Sequence, residues 1–195
     1  MKDIQIKFEF WDQIDLSTEI AKSIYDLLVT CDKEFVPPLS TRNTTTQIGF
    51  DSTCIVSDKQ PYQYWTNILN QKNILAIVGD NVVGIMSFKY NYKLSGHFDT
   101  DIQKDAINNY VSTICINKNY RGNGIAGKLY DYIENNLPKK YKSDYVSTRT
   151  WSTNINHINL LYKYSYKLIY TIENDRECDG NKLDTLYFIK HIESL

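Results

Sequence analysis

Ile4, Ile6, Phe8 and Phe10 alternate with charged or polar residues, a period of two that predicts a first strand. The period then changes. Ile20, Ile24, Leu27, Leu28 and Cys31 fall three or four apart, which predicts an amphipathic helix capped by Ser17 and ended before Pro37 and Pro38. From Val36 to Pro61 the chain is rich in Thr and Ser and shows no period, so it reads as a long loop of the kind that commonly carries function. Tyr62 to Gln71 predicts a short second helix with Trp65 and Leu69 on one face.

Two apolar runs, Ile74 to Val78 and Val82 to Phe88, are joined by Gly79-Asp80-Asn81 and predict a hairpin, because Gly and Asn supply the positive φ angles of a tight reversal. Asn91 to Asn108 is a second polar connection. Tyr110 to Ile116 predicts a strand that runs into a cluster of glycines, and Ile125, Leu129, Tyr132, Ile133 and Leu137 then predict a helix stopped at Pro138. Tyr145 to Thr150 reads as a strand, Asn154 to Tyr164 as a helix and Tyr166 to Ile172 as a strand. Asp179-Gly180-Asn181 turns the chain into a last strand, Leu183 to Ile189. The order β-α-α-β-β-β-α-β-α-β-β predicts an α/β (α+β) fold, with helices packed on one mixed, mostly antiparallel sheet.

With 195 residues and 22.8 kDa, the chain is expected to fold as one domain over residues 1–195. Lys and Arg total 22 and Asp and Glu 23, a net charge of −1 that argues against a nucleic-acid partner held through phosphates. No apolar run approaches the roughly 18 residues of a membrane span, and the N-terminal residues lack the apolar core of a signal peptide. Cys31, Cys54, Cys115 and Cys178 are far apart and His97, His157 and His191 are scattered, so neither a disulfide framework nor a metal site is expected. A cytoplasmic protein with no membrane partner is expected.

Three of the eight glycines, Gly122, Gly124 and Gly127, lie within six residues, beside Arg121 in a chain of only four arginines. A strand, a glycine turn and a helix start together make an anion site. The first helical amides lack partners, and glycine lets a phosphate approach the backbone. Arg121, Gly122, Asn123, Gly124, Ile125, Ala126 and Gly127 are therefore expected to cradle a phosphate or pyrophosphate. Three patterns fit these residues. Gly122 to Lys128 matches a P-loop, but Leu129 stands where magnesium needs a hydroxyl. Gly122, Gly124 and Gly127 match a dinucleotide fingerprint, but the chain after them does not continue in parallel units. Arg121, Gly124 and Ala126 match Arg/Gln-x-x-Gly-x-Gly/Ala.

In that third pattern the chain resembles the GNAT superfamily of acyl-CoA-dependent N-acetyltransferases, and the element order from Asn73 to His191 agrees. The resemblance implies acetyl-CoA as co-substrate, its pyrophosphate on the loop and its pantetheine arm along Ile114 and Ile116. The backbone amide of Ile116 or a neighbour would polarise the thioester carbonyl. It also implies a bulge that splays the fourth and fifth strands. Helices on both faces of the sheet are part of the same expectation.

A second family signature, Asn-x-x-Ala-x-x-Leu-Tyr-x-Lys-x-Gly-Phe, aligns with Asn154, Leu160, Lys163, Ser165 and Tyr166. Asn154 would reach the pantetheine; on its own it also reads as a helix cap. Ser165 replaces the family's glycine, and Leu161 replaces the tyrosine that protonates the leaving thiolate. Tyr162, one residue on, is the candidate acid, with His157 one turn before Leu161 on the same face. Glu34, His97, Asp99 and Asp101 are candidate bases for the amine. The resemblance implies a small-molecule or peptide amine as acceptor, held by the first two helices and the long loops with Arg42 and Trp65. An acyl-CoA-binding module without catalysis is the alternative. Exposed strand edges in such a sheet admit a homodimer.

Overall fold

The computed structural model describes residues 5–39, 62–94, 105–178 and 180–192. Seven strands form one sheet: β1 (Lys7–Trp11), β2 (Lys72–Val78), β3 (Asn81–Lys89), β4 (Asn108–Ile116), β5 (Tyr145–Trp151), β6 (Lys167–Cys178) and β7 (Asn181–His191). Their order across the sheet is β1-β2-β3-β4-β5-β7-β6. Every neighbouring pair is antiparallel except β4 and β5, which run parallel because a helix connects them. The helices are α1 (Glu19–Cys31), α2 (Tyr62–Leu69), α3 (Ile125–Asp131) and α4 (Ile155–Lys163), so the element order is the one predicted.

The central strands β2 to β4 are buried on both faces, and their alternation sorts side chains into two cores. In β2, Leu75 and Ile77 meet Ile24, Leu27 and Leu28 of α1 and Ile68 of α2. Their neighbours Ile74 and Ala76 point the other way, towards Leu129 and Tyr130 of α3 and Leu161 of α4. Burying each such Leu or Ile contributes about 1.5–3 kcal/mol, so the helices are held to opposite faces chiefly by these stripes.

Local chemistry moved several boundaries. The cap of α1 is Thr18, whose Oγ1 accepts from the Ala21 amide at 3.1 Å. Ser17 is engaged elsewhere, giving its amide and hydroxyl to Asp15 at 2.8 and 2.7 Å. The helix after the glycine loop is α-helical only to Asp131 and continues as π-helical turns over Tyr132–Asn136. β6 extends beyond Ile172 to Cys178, because the edge strand carries a bulge there and its outer residues need not be apolar. Ile4 and Asp179 lie outside the described residues, as do His97, Asp99, Asp101, Arg42 and most of the long loop before Pro61.

One irregularity opens the sheet between β4 and β5. β4 and β5 pair over only four positions, Asn108↔Tyr145 to Val111↔Thr148. Beyond them the strands part. On the other side of β4 the register passes from Ser87↔Thr113 to Phe88↔Val111, leaving Ser112 as an extra residue. Such a bulge bends its strand, and here it bends the second half of β4 away from β5. The Ser112 hydroxyl is held by the Gln71 side chain at 2.5 Å.

Candidate active site

The loop after β4 is built by its glycines. Gly122 and Gly124 have φ of 82° and 72°, left-handed values that cost an L side chain about 1–2 kcal/mol. Gly124 occupies the N-cap of α3 and has no side chain to cap it. The amides of Ile125, Ala126 and Gly127 thus open the helix without acceptors one turn back, and Lys128 closes the first turn on the Gly124 carbonyl at 3.0 Å. Gly127 has a different reason to be glycine. A Cβ there would lie 2.3 Å from the Tyr164 hydroxyl, so its smallness lets α3 pack close to the end of α4.

Arg121 ties this loop to two other elements. Its Nε and Nη2 donate to the Ile116 carbonyl at 3.0 and 2.9 Å, and Nη2 also donates to Glu34 Oε2 at 2.6 Å. Glu34 sits in the 3₁₀ turn that follows α1. The Ile116 carbonyl therefore points out of the β3 ladder, and strand alternation turns Ile114 the same way. Because β5 has left the ladder, both face the slot.

The slot opens to both faces of the sheet, and a cleft of about 690 Å³ runs through it. That volume is ordinary for a small-molecule site. On one face lie the glycine loop and the α4 residues Asn154, Asn156, His157 and Leu160. Asn154 is the N-cap residue of α4 but makes no side-chain capping bond, and its side chain lines the cleft instead. The His157 Nε2 lies 2.8 Å from the Tyr130 hydroxyl. Burial lowers the His157 pKa to about 4, which leaves the ring neutral at pH 7, and burial likewise raises that of Tyr130.

The other face is lined by α1, α2 and the turn that carries Glu34. Tyr64 of α2 hydrogen-bonds Thr113 of β4 through its hydroxyl at 2.7 Å. Val146 packs with α3 and α4, so alternation along β5 turns Arg149 and Trp151 to this opposite face. Cys31 and Cys115 also line it as free thiols. The hydrogen bond to Cys31 and then burial push the Cys115 thiol well up, so that it stays protonated. Among the described residues lining the cleft, the charged side chains are Glu34, Arg121 and Arg149.

A family model described as the acetyltransferase (GNAT) family matches residues 32–165, from the Glu34 turn through the glycine loop to the end of α4. The chain belongs to the GNAT acetyltransferase family. Its fold is shared by solved structures of low sequence identity. A Streptococcus mutans protein is 15% identical, with a TM-score of 0.63 over 96% of this chain and 99% of that one. An N-acetyltransferase from Staphylococcus aureus is 13% identical, with a TM-score of 0.61 over 97% and 99%. The Arabidopsis thaliana protein NAA60, solved in complex with acetyl-CoA, is 14% identical, with a TM-score of 0.61 over 96% and 99%. No curated protein matches the chain by sequence.

In this GNAT chain the expected loop residues Arg121, Gly122, Gly124, Ile125, Ala126 and Gly127 all line the cleft, together with Ile114, Ile116 and Asn154. Asn123 does not. Its side-chain amide folds back onto the Tyr120 and Arg121 carbonyls at 3.0 and 3.4 Å, which shapes the turn. Tyr162, the candidate acid, lies elsewhere: the residue is 54% exposed and its ring stands edge-on to Phe188 at 5.4 Å, outside the cleft lining. Leu161, in the position of the family's tyrosine, is fully buried in the core.

The end of α4 explains both placements. The Tyr166 amide donates to the Leu161 carbonyl at 2.9 Å and the Ser165 amide to the Tyr162 carbonyl at 3.0 Å. This is the Schellman arrangement, whose apolar staple joins the residues at Leu161 and Tyr166. Leu161 is thereby turned inward and Tyr162 outward. Trp65 is outside the cleft lining too. Its indole donates to the Ala21 carbonyl at 2.7 Å and packs on Tyr25, so it fastens α2 to α1, and Tyr64 faces the cleft in its place. Of the candidate bases, Glu34 is the one within the described residues, and it lines the cleft. Arg149, Cys31 and Cys115 were not foreseen. Arg149's only sequence signal was its rarity as an arginine, set among Ser147, Thr148 and Thr150.

Proposed function

We propose that the whole chain, 1–195, works as one N-acetyltransferase domain that transfers an acetyl group from acetyl-CoA to a primary amine, of a small molecule or a peptide end. The observation that carries this is the slot between β4 and β5. It joins a glycine loop on one face of the sheet to a separate, partly apolar chamber on the other, so donor and acceptor meet from opposite sides in a ternary complex.

The residues fit the donor. The amides of Ile125, Ala126 and Gly127 and the bare backbone at Gly122 and Gly124 suit a pyrophosphate, whose approach a Cβ would obstruct. Ile114 and Ile116 offer a strand edge for an extended arm, and the Ile116 amide is aimed where a carbonyl oxygen gains charge. Asn154 offers an unspent amide beside that edge. Acetyl-CoA supplies the acyl carbon: the amine nitrogen forms the new C–N bond, the C–S bond breaks, and sulfur leaves with its electron pair. Glu34 takes the proton that nitrogen gives up, directly or through water, and passes it to solvent. A thiol of pKa about 8.5 leaves readily as thiolate near neutral pH, so the outward Tyr162 is not needed as an acid.

The buried Leu161 favours a second reading, a GNAT-fold module that binds acyl-CoA without catalysis. Melting curves with acetyl-CoA, CoA, ATP and NAD, followed by thiol detection across an amine panel, separate the readings. The expected result is stabilisation by acetyl-CoA and CoA alone, thiol release with at least one amine, and a fall of roughly 10²-fold in kcat for Glu34→Gln. Stabilisation by ATP or NAD in their place overturns the donor assignment. Binding without turnover on any amine supports the non-catalytic module.

A further inference from the structure

Cys31 and Cys115 meet beside the slot from two different elements. Cys31 is the last residue of α1, and Cys115 lies between Ile114 and Ile116 on β4. Alternation along β4 turns Cys115 to the face that α1 covers, where both cysteines join the core of Ile24, Leu27 and Leu28. Cys31 Sγ donates to the Ile116 carbonyl at 3.8 Å, one residue along from Cys115, and the two thiols hydrogen-bond each other. Both are free and, although only 2% and 5% exposed, both line the cleft, so a small reagent in the slot reaches them.

The pair is chemically unequal. The hydrogen bond from Cys115 and, more weakly, the charge of Arg121 lower the Cys31 pKa, while the bond to Cys31 and then burial raise that of Cys115. The thiolate is the reactive form of cysteine, so Cys31 is the attacking sulfur and Cys115 a protonated neighbour held against it. A small hydrophobe at either position would serve the packing of α1 on β4 equally well; two thiols in contact add a chemistry that packing does not need.

We infer that Cys31 and Cys115 form an oxidative modification site, a dithiol that hydrogen peroxide converts to an intramolecular disulfide and a thiol reductant restores. The Cys31 sulfur attacks one peroxide oxygen, the O–O bond breaks, and the products are a Cys31 sulfenic acid and water. The Cys115 sulfur then displaces the sulfenic hydroxyl to form the S–S bond, and that hydroxyl leaves as water with the Cys115 proton. The two thiols lose two electrons and two protons, and one peroxide becomes two waters. A covalent bond holds the sulfurs closer than a hydrogen bond does, so oxidation draws β4 towards α1. The shift falls on Ile114 and Ile116, which flank Cys115, and on Glu34 in the turn that follows Cys31. The effect on turnover rests on the acetyltransferase reading above; the formation of the disulfide does not.

The test treats the full chain with hydrogen peroxide, removes the peroxide, and reads the intact mass and the peptide map. The expected product has lost two hydrogens and gives one cross-linked peptide pair, Cys31 with Cys115, which dithiothreitol separates. Cys115→Ser should stop at a Cys31 sulfenic acid that dimedone captures, and Cys31→Ser should leave Cys115 unmodified. Turnover of an amine that the reduced protein accepts should fall roughly 10-fold or more on oxidation and return on reduction, since a displacement of about 1 Å at a reacting centre can cost that much. In Cys31→Ser that turnover should not respond to peroxide. A cross-link through Cys54 or Cys178 in place of this pair, oxidation of Cys31 without a cross-link, or no reaction overturns the inference, and each is read on the wild-type chain whether or not the variants fold. A Cys31–Cys115 disulfide that leaves turnover unchanged supports the site and overturns its hold on catalysis. Reduced protein that turns over no amine overturns the acetyltransferase reading, while the mass and the peptide map still decide the dithiol.

Discussion

His157 lines the cleft with its Nε2 on the Tyr130 hydroxyl, and burial holds its pKa at about 4, well below the ordinary 6.5. The sign of the consequence follows from which state binds the proton first. As pH falls through 6.5 the unfolded chain takes up a proton that the folded chain refuses until about 4, so stability present above 6.5 is lost across that window. The expected loss is roughly 2–3 kcal/mol between pH 7 and pH 4.5. His157→Asn keeps a hydrogen-bonding group against Tyr130 and removes the titration. Its melting temperature, whatever its value at pH 7, should fall less steeply with acid than that of the wild type by several degrees. Equal slopes in the two proteins would show that His157 does not titrate abnormally. His157 was visible in the sequence as a residue sharing a helical face with Leu161. Its partner was not, because Tyr130 lies 27 residues earlier on another helix and only packing brings the two together.

The order of elements was readable because each one buries a face, and a buried face imprints its period. Boundaries were not readable where that pressure is absent, as at the outer end of β6, or where a cap competes with its neighbour, as at Ser17 and Thr18. The end of α4 shows how much one departure from a family pattern can be read. Ser165 stands where the family has glycine, and its φ is 65°, the left-handed value that the Schellman turn requires. That conformation costs a non-glycine residue about 1–2 kcal/mol, and glycine in its place gives back roughly 0.5–1 kcal/mol through its freer unfolded chain. The balance favours glycine. Ser165→Gly should therefore stabilise the protein by roughly 0.5–1 kcal/mol, raising Tm by about 1–4 °C, with acetyl-CoA affinity unchanged. A lower Tm in this variant would mean that the serine does something the backbone geometry does not show. The placement of the family's tyrosine position could not be inferred from spacing. The turn that buries Leu161 depends on hydrogen bonds formed only after the helix has ended.

Across the whole molecule the sheet is two sheets in one. β1 to β4 and β5, β7 and β6 each form continuous antiparallel ladders, and four parallel pairs between β4 and β5 hold them together. The hairpin of β6 and β7 was legible, but the insertion of β7 beside β5 was not, since local turn chemistry does not say which neighbour a hairpin adopts. Arg149 was hidden for the same reason: only the sheet order sets it opposite Tyr187 and only the fork exposes it. This architecture has a mechanical consequence. A donor lying along β4 in the slot would add backbone hydrogen bonds where the ladder is open, joining the two halves. Hydrogen exchange followed at the level of single amides should then show Ile114, Ile116 and Ile125 to Gly127 gaining protection on acetyl-CoA binding. The amides of β1 and the outer end of β6, which exchange by local opening at the far edges, should change little. At a donor concentration about 100 times its dissociation constant, the globally protected amides should slow by a common factor of about 100, corresponding to about 2.7 kcal/mol. Protection that appears first at β6, or that spares Ile114 and Ile116 while the protein is stabilised, would place the donor outside the slot and remove the basis for donor and acceptor meeting through the sheet.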